Sequence, residues 1–244
     1  NVLIFIALII IYTLKGGIRT IIWTDTLQTT FMLLAVVLSV FFISRELGEP
    51  VQKLMRNLFD SDMSRIVITD WDHPRHFIKQ FFSGMFITIT MTGLDQEMMQ
   101  KNLSIRRLMD AQKNMFTFST INLVVVFMFL VLGAFLVFFA RAESINVAMT
   151  DDLFPTIAFR YLSPAAGIVF LIGLISAAFP SADGALTSLT TSFSIDFLGL
   201  EKKTEMDNAR KTRIRYTVHF SFALIFFICI LAFRQMNDRA IIDK

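Results

Sequence analysis

Long apolar runs, separated by polar gaps, constrain the fold of this sequence more than any other feature. Of its 244 residues 55% are hydrophobic and 27 are Phe, and the mean hydropathy is +0.61. The runs approach the roughly 20 residues with which an α-helix crosses the hydrocarbon core of a bilayer. A segment surrounded by lipid must satisfy its own backbone hydrogen bonds, which favours helices. The sequence therefore predicts an all-α, polytopic transmembrane helical bundle in contact with membrane lipid.

Six apolar segments define the predicted organisation. They cover residues 1–14, 20–44, 77–98, 115–140, 164–198 and 216–233. The Gly16-Gly17 pair between the first two segments predicts a tight turn. A short apolar piece that begins near Pro155 fits either an interfacial or re-entrant helix or an ordinary loop. Because Asn1 leads directly into the first segment, with no basic region before it, we expect the sequence to be part of a longer protein.

The charges between the segments predict which side of the membrane each loop occupies. The formal net charge is only +3, and compact basic gaps lie near Lys15, at residues 99–114 and at residues 199–215. Short loops rich in Lys and Arg favour the cytoplasm. Residues 199–215 are therefore predicted to be a basic cytoplasmic loop, and residues 45–76, which mix acidic and basic side chains, an external loop. This distribution indicates membrane orientation, and we expect no nucleic-acid partner.

The fifth segment changes composition abruptly at Pro180, from almost wholly apolar residues to small residues, hydroxyls and one carboxylate. Polar side chains at membrane depth are costly, so they mark an ion or substrate route by default. Pro180 lacks an N–H and crowds the carbonyl of Ser176, which leaves a backbone oxygen free near the Ser181 hydroxyl. Together these oxygens predict a site for a small hard cation.

Two other segments carry candidate polar sites. On the second segment, Asp25 and Gln28 stand three residues apart and share a helix face; the alternative is a helix-terminal carboxylate that pairs with Arg19. On the third segment, threonines precede Gly93, which predicts a bend near a substrate cavity. The candidate substrate residues there are Thr88, Thr92 and Gln96. The alternative is that the threonine hydroxyls bond only to their own backbone.

Motifs of soluble enzymes are absent from the sequence. The three histidines, His73, His76 and His219, lack metal-ligand spacing, and no phosphate-binding glycine loop is present. Ser181 has no histidine at a comparable depth with which to form a catalytic pair. We therefore expect a protein that is not an enzyme. A single cysteine, Cys229, excludes an internal disulfide.

Four stretches of the sequence resemble characteristic segments of the sodium:solute symporter family, whose members transport sugars, proline, sialic acid, iodide and vitamins with sodium. They occur in the family's order and span nearly the whole sequence: Tyr12–Gln28, Thr92–Leu103, Asp152–Pro155 and Ala177–Asp196. The resemblance implies a LeuT-like core of ten helices in two inverted repeats. The six segments would be the fourth to ninth of these helices, so residues 1–244 would form an incomplete transporter core.

The resemblance also implies ion-binding residues. The family's central sodium site uses a backbone carbonyl and two hydroxyl side chains on the eighth core helix, which fall on Ala177, Pro180 and Ser181. Pro180 departs from this pattern because it has no hydroxyl. Some relatives bind a second sodium with an aspartate at the position of Asp25 and hydroxyls at the positions of Asp183 and Gly184. Neither of the latter residues is a hydroxyl, so Asp25 and Asp183 are candidates for a second sodium or for the ion's exit path.

The function that the resemblance implies is sodium-coupled secondary active symport of a small organic solute by alternating access. Sodium ion would be the coupling ion, and the plasma membrane the location. Two alternatives remain open on the sequence. One is a transporter-like sensor domain of a signalling protein, and the other is a proton-coupled carrier in which Asp25 or Asp183 holds the proton.

Overall fold

The computed structural model describes the backbone of residues 2–65 and 67–236, and the side chains of residues 10, 23–65 and 67–233. Within this part of the chain the regular structure is helical, without strands, and the predicted all-α class is confirmed. The α-helices are α1 (Val2–Glu46), α2 (Val51–Phe59), α3 (Phe77–Gly93), α4 (Gln96–Leu103), α5 (Leu108–Ala142), α6 (Leu153–Arg160), α7 (Pro164–Ser192) and α8 (Asn208–Met236). A π-helical turn, Phe193–Phe197, continues α7.

Four helices of the described chain are long and apolar enough to cross a membrane: Trp23–Glu46, Leu108–Ala142, Pro164–Phe197 and Asn208–Phe233. They correspond to the second, fourth, fifth and sixth predicted segments. The third segment forms α3, whose 17 residues extend about 26 Å at 1.5 Å per residue. The first segment, residues 1–14, lies outside the described side chains except at Ile10.

The predicted turn at Gly16-Gly17 is wrong, because residues 2–46 form one helix of 45 residues. Glycine permits a turn without requiring it. In a helix interior each glycine costs about 1 kcal/mol relative to alanine, and the apolar residues on both sides favour a helix. A helix of this length extends about 68 Å. The first two predicted segments are therefore continuous, and the predicted orientation depends on the later loops.

Two other predicted boundaries change in the structure. The third predicted segment is broken, because α3 ends at Gly93 and α4 begins at Gln96; the Leu94 N–H donates to the Thr90 carbonyl at 3.0 Å and closes the last turn of α3. The bend predicted at Gly93 is thus observed. The piece that begins near Pro155 forms α6, a short helix, and not an irregular loop.

The chain divides into two compact units. One unit contains residues 31–95 and 105–174, and its core joins the C-terminal half of α1 to α2, α5 and α6. The buried side chains of this core are Val36, Ile43, Leu54, Leu132, Phe135, Leu136, Phe139 and Ile157. A Cβ added at Gly173 of α7 would lie 2.6 Å from the Ala35 Cβ of α1, so these two helices pack at small residues, as membrane helices commonly do.

The other unit contains residues 1–30, 96–104 and 175–244. Its core lies between α7 and α8, where Leu186 and Ala223 are buried among partly buried apolar side chains. Beside this core, the buried Thr190 hydroxyl donates to the Leu186 carbonyl at 2.7 Å and lies 3.0 Å from His219 Nδ1. The hydroxyl has one hydrogen, so His219 donates through Nδ1. A polar contact therefore joins the two helices inside the apolar core.

Candidate ion and solute site

The helix α7 passes through Pro180 without interruption. Because Pro180 has no N–H, the Ser176 carbonyl lacks the donor four residues later that a regular helix supplies. Ala177 and Ser181 lie one helical turn apart and are both exposed in this structure, whereas the Ser176 side chain is buried. The face of α7 that carries the predicted cation ligands is therefore uncovered by the described residues.

Asp183 lies on the opposite face of α7 from Ser181. It is completely buried, with 0% of its surface exposed, whereas Ser181, two residues earlier, is exposed. Two residues correspond to about 200° of rotation around an α-helix. The candidate ligands of the central sodium site and the buried carboxylate therefore belong to different environments, and Asp183 does not join Ala177 and Ser181 on one surface.

Asp25 forms part of a charged cluster with two residues of α4. The Lys101 ammonium lies 2.9 Å from Asp25 Oδ2 and 2.6 Å from Glu97 Oε1. The three side chains are only 17–29% exposed. Burial acts to lower the pKa of Lys101, but hydrogen bonds to Glu97 and Asp25 and their charges outweigh this effect and raise the pKa. The two carboxylates thus favour the charged form of the Lys101 ammonium.

Gly184 allows α4 to reach this position against α7. A Cβ added at Gly184 would overlap the carboxylate of Glu97. Since a glycine next to Asp183 leaves room for the Glu97 side chain, the charged cluster is built where three helices of one unit meet: α1, α4 and α7. Any larger residue at position 184 would displace Glu97 or α4.

The charges of this cluster favour a cation. Asp25, Glu97 and Lys101 together carry one net negative charge. The second oxygen of Asp25, Oδ1, is buried and accepts no hydrogen bond within the described part of the chain, and the same holds for Gln28 Oε1. These buried oxygens are suitable acceptors for a hard cation or for water that accompanies it.

The predicted substrate residues occupy the stretch around the break between α3 and α4. Thr88 is exposed, and its hydroxyl donates to the Gly84 carbonyl at 2.8 Å. This is a bond to the backbone of its own helix, the alternative to a substrate contact. Thr92 is half-buried and Gln96 is exposed. Thr88 and Thr92 belong to one compact unit and Gln96 to the other.

Sequence reasoning missed the partners of Asp25. It considered Arg19, whose side chain lies outside the described residues, and not Lys101, which is 76 positions away. The i, i+4 spacing of Glu97 and Lys101 was a usable signal for an ion pair, but only the position of α4 against α1 reveals the third member. The contact of Thr190 with His219 was missed for the same reason.

Among the described residues, no group of three His, Cys, Asp or Glu side chains could hold a metal ion.

Comparison with known proteins places this geometry in a family. The model of the sodium:solute symporter family matches residues 1–243. The chain belongs to the sodium:solute symporter family. Membership agrees with the resemblance found in the sequence and with the expectation of a transporter instead of an enzyme. It also makes this chain a multi-pass membrane protein.

Two relatives illustrate the family likeness. The chain is 24% identical over 237 residues to a sodium/pantothenate symporter of Haemophilus influenzae. The matched region covers 96% of this chain and 46% of the relative. The structure is similar to a Na⁺-coupled sialic acid symporter solved in a substrate-bound, outward-open state, with a TM-score of 0.81 and 17% identity over 97% of this chain and 50% of that one. The second match confirms the LeuT-like fold. The chain spans about half the length of each of these symporters.

Proposed function

We propose that the natural full-length protein is a sodium-coupled symporter of a small organic solute in the plasma membrane, and that it works by alternating access. The observation that carries the proposal is the exposed face of α7, where Ala177 and Ser181 lie one turn apart beside the carbonyl released by Pro180. An apolar membrane helix gains nothing from such a face unless an ion or a solute uses it.

Sodium is the ion that this face suits best. Hard cations prefer oxygen ligands, and a cation that sheds its water on binding needs several of them at once. The Ala177 carbonyl and the Ser181 hydroxyl supply two, and the Ser176 carbonyl, freed by Pro180, is a candidate for the position where the family has a second hydroxyl. The Asp183 carboxylate, the one carboxylate on α7, does not lie on this face, because Asp183 is buried in the protein. Neutral oxygens bind a monovalent ion reversibly, as transport requires.

Asp25 is proposed to act on the path of the released ion. Its Oδ2 is engaged by Lys101, and positions 183 and 184 provide no hydroxyl for a second sodium. A buried carboxylate with one free oxygen still lowers the energy of a passing cation. Asp183, buried beside Gly184, adds to the acidic character of this region. We therefore assign both residues to the exit path in preference to a second sodium site.

Two residues near helix ends, each within its own compact unit, are proposed to contact the solute: Thr92 in the last turn of α3 and Gln96 at the start of α4. Residues at the ends of discontinuous helices commonly contribute to transporter binding sites. Thr88 lies one turn before Thr92 and is the weaker candidate, since its hydroxyl already bonds to Gly84.

The energy of one sodium ion is sufficient for concentrative uptake. Moving one charge across 100 mV provides about 2.3 kcal/mol, and a tenfold sodium gradient adds about 1.4 kcal/mol. Together they support an accumulation of a neutral solute on the order of 500-fold. One coupling ion per cycle therefore suffices for this proposal.

Uptake into cells that produce the natural full-length protein tests the proposal. Pantothenate and sialic acid are the first solutes to try, followed by sugars and proline, each measured in sodium and in choline medium. Saturable uptake of one solute that disappears in choline is expected. Uptake that persists in choline and follows an imposed proton gradient would favour the proton-coupled carrier. No uptake of any solute, combined with a signalling response to one, would favour the sensor.

A further inference from the structure

A cavity of about 310 Å³ lies within one compact unit of the chain, where the π-helical turn and the following loop meet the first turns of α8. Seven of its nine lining residues have polar side chains, and two of these are cations. The residues that line it are Thr191, Ser194, Ile195, Leu200, Glu201, Asn208, Lys211, Thr212 and Arg215. None of them belongs to the proposed ion or solute site.

Ser194 is the unusual member of this lining. Only 1% of its surface is exposed, and its hydroxyl has no hydrogen-bond partner in the described part of the chain. Nearby hydroxyls on α7 donate to the carbonyl four residues earlier, as Thr191 does to Thr187 at 2.8 Å. Ser194 lies in the π-helical turn Phe193–Phe197, where the backbone geometry differs, and such turns frequently occur at functional sites. A buried hydroxyl donor is thus left available at the cavity.

The cavity also contains two basic side chains that are available for a ligand. Lys211 is half-buried and Arg215 is exposed, and within the described residues neither forms an ion pair. Thr212 and Asn208 add neutral donors from the same helix. Glu201 opposes them with one carboxylate, so the lining keeps one net positive charge. Lys, Arg and hydroxyl donors around one cavity are the combination that recognises phosphate.

We propose that this cavity binds a phosphate group, with Lys211 and Arg215 neutralising its charge and Ser194 donating to one of its oxygens. Basic pockets between membrane helices bind the headgroups of anionic lipids, and a soluble phosphate anion carries the same chemistry. A phosphate in this position ties the end of α7 to the start of α8. Because α7 carries Ala177 and Ser181, a lipid headgroup or a soluble anion bound in this cavity would act on the helix that is proposed to bind sodium.

Thermal unfolding of the purified natural full-length protein in a neutral detergent tests this inference. One arm adds phosphatidylglycerol, compared with a diacylglycerol that has the same acyl chains and no phosphate. The other arm adds inorganic phosphate, compared with chloride at equal ionic strength. A ligand that binds the native state raises the unfolding midpoint in proportion to its affinity, so titration gives an apparent Kd in each arm. Stabilisation by phosphatidylglycerol alone identifies a lipid headgroup, and stabilisation by inorganic phosphate identifies a soluble anion.

Variants separate the cavity from general electrostatic attraction. The double variant Lys211→Gln/Arg215→Gln is expected to weaken binding of the phosphate ligand about tenfold or more. Ser194→Ala is expected to weaken it a few-fold. Ser194→Ala should leave the unliganded protein as stable as before, because the hydroxyl has no hydrogen-bond partner among the described residues. Glu201→Gln should strengthen binding, since it removes a repulsive charge. Arg213→Gln, which removes a nearby charge outside this cavity, is the matched control and should bind normally.

Two outcomes would overturn the inference. The first is that neither phosphatidylglycerol nor inorganic phosphate raises the unfolding midpoint above its control. The second is that Arg213→Gln weakens binding as much as the double variant of Lys211 and Arg215. This result would mean that the ligand is attracted only by the general positive charge of this part of the chain.

Discussion

The Lys101 ammonium on α4 donates a hydrogen bond of 2.9 Å to the Asp25 carboxylate on α1, although 76 positions separate the two residues. Both side chains are largely buried, with 29% and 17% exposed. Removing one partner of such a pair leaves a charge that is neither paired nor fully hydrated. The contact therefore holds α4 beside the part of α1 that carries Asp25.

Lys101→Gln is expected to destabilise the protein by about 2 kcal/mol, because Asp25 and Glu97 lose their common cation in a partly buried site. The thermal unfolding midpoint in detergent measures the loss. Lys53→Gln is the matched control: Lys53 pairs with Glu49 at 2.6 Å but is 57% exposed, so its removal should cost less than about 0.5 kcal/mol. Adding Asp25→Asn to Lys101→Gln should recover part of the loss. Equal midpoints for Lys101→Gln and Lys53→Gln would contradict the structural role of Lys101.

Gly184→Ala is expected to destabilise the protein by about 1 kcal/mol, because the new methyl group displaces the Glu97 carboxylate, the flexible end of that side chain, and so weakens its ion pair with Lys101. Gly133→Ala in α5 is the control. Its Cβ meets no atom within 4 Å, so this change should stabilise the helix by about 0.5–1 kcal/mol. Combining Gly184→Ala with Glu97→Ala should relieve the overlap. If Gly184→Ala were as stable as the parent protein, the ion pair of Glu97 with Lys101 would not depend on the space beside Gly184.

A structural feature could be predicted from the sequence when the residues that determine it are close together in the chain. Apolar length and composition predicted the four membrane helices, and Gly93 predicted a bend, because these are local properties. The sequence did not predict that the third segment is divided into α3 and α4. The prediction of a turn at Gly16-Gly17 was wrong, because glycine is compatible with a turn or a helix and the neighbouring apolar residues favour a helix.

The site was only partly predictable. Asp25 stands out as a carboxylate in an apolar run, but its partner Lys101 is revealed only when the chain folds. Similarly, Ser181 and Asp183 belong to one polar stretch in sequence, and only the rotation of α7 assigns them to opposite faces. The π-helical turn that leaves Ser194 without a local acceptor has no clear signal in the sequence.

Cysteine labelling tests the predicted orientation. After Cys229, the single cysteine of the sequence, is replaced by serine, new cysteines are placed at Arg210 and at Asp62, which are both exposed. The cysteine at position 210 should resist an impermeant thiol reagent in intact cells and react after permeabilisation. The cysteine at position 62 should react in both conditions. The reverse pattern would invert the topology.

Asp25→Asn is expected to reduce the maximal rate of solute uptake while changing the external sodium dependence little, because Asp25 is assigned to the exit path. Initial rates measured over a range of external sodium separate the two parameters. Since the change also removes one partner of Lys101, Glu97→Gln serves as a comparison that removes the other carboxylate partner of Lys101 and keeps the Asp25 charge. A large rise in the half-saturating sodium concentration for Asp25→Asn alone would place Asp25 among the ligands of the sodium that binds from outside.

The sodium dependence of uptake by Ser181→Ala in the natural full-length protein tests the central claim most directly. Loss of one neutral oxygen ligand should raise the half-saturating sodium concentration about fivefold. Ser221→Ala, which removes an exposed hydroxyl that donates to the Thr217 carbonyl on its own helix, should leave it unchanged. Both variants must first be shown to reach the cell surface in normal amounts. A half-saturating sodium concentration for Ser181→Ala equal to that of the parent protein would contradict the assignment of the sodium site to this face of α7.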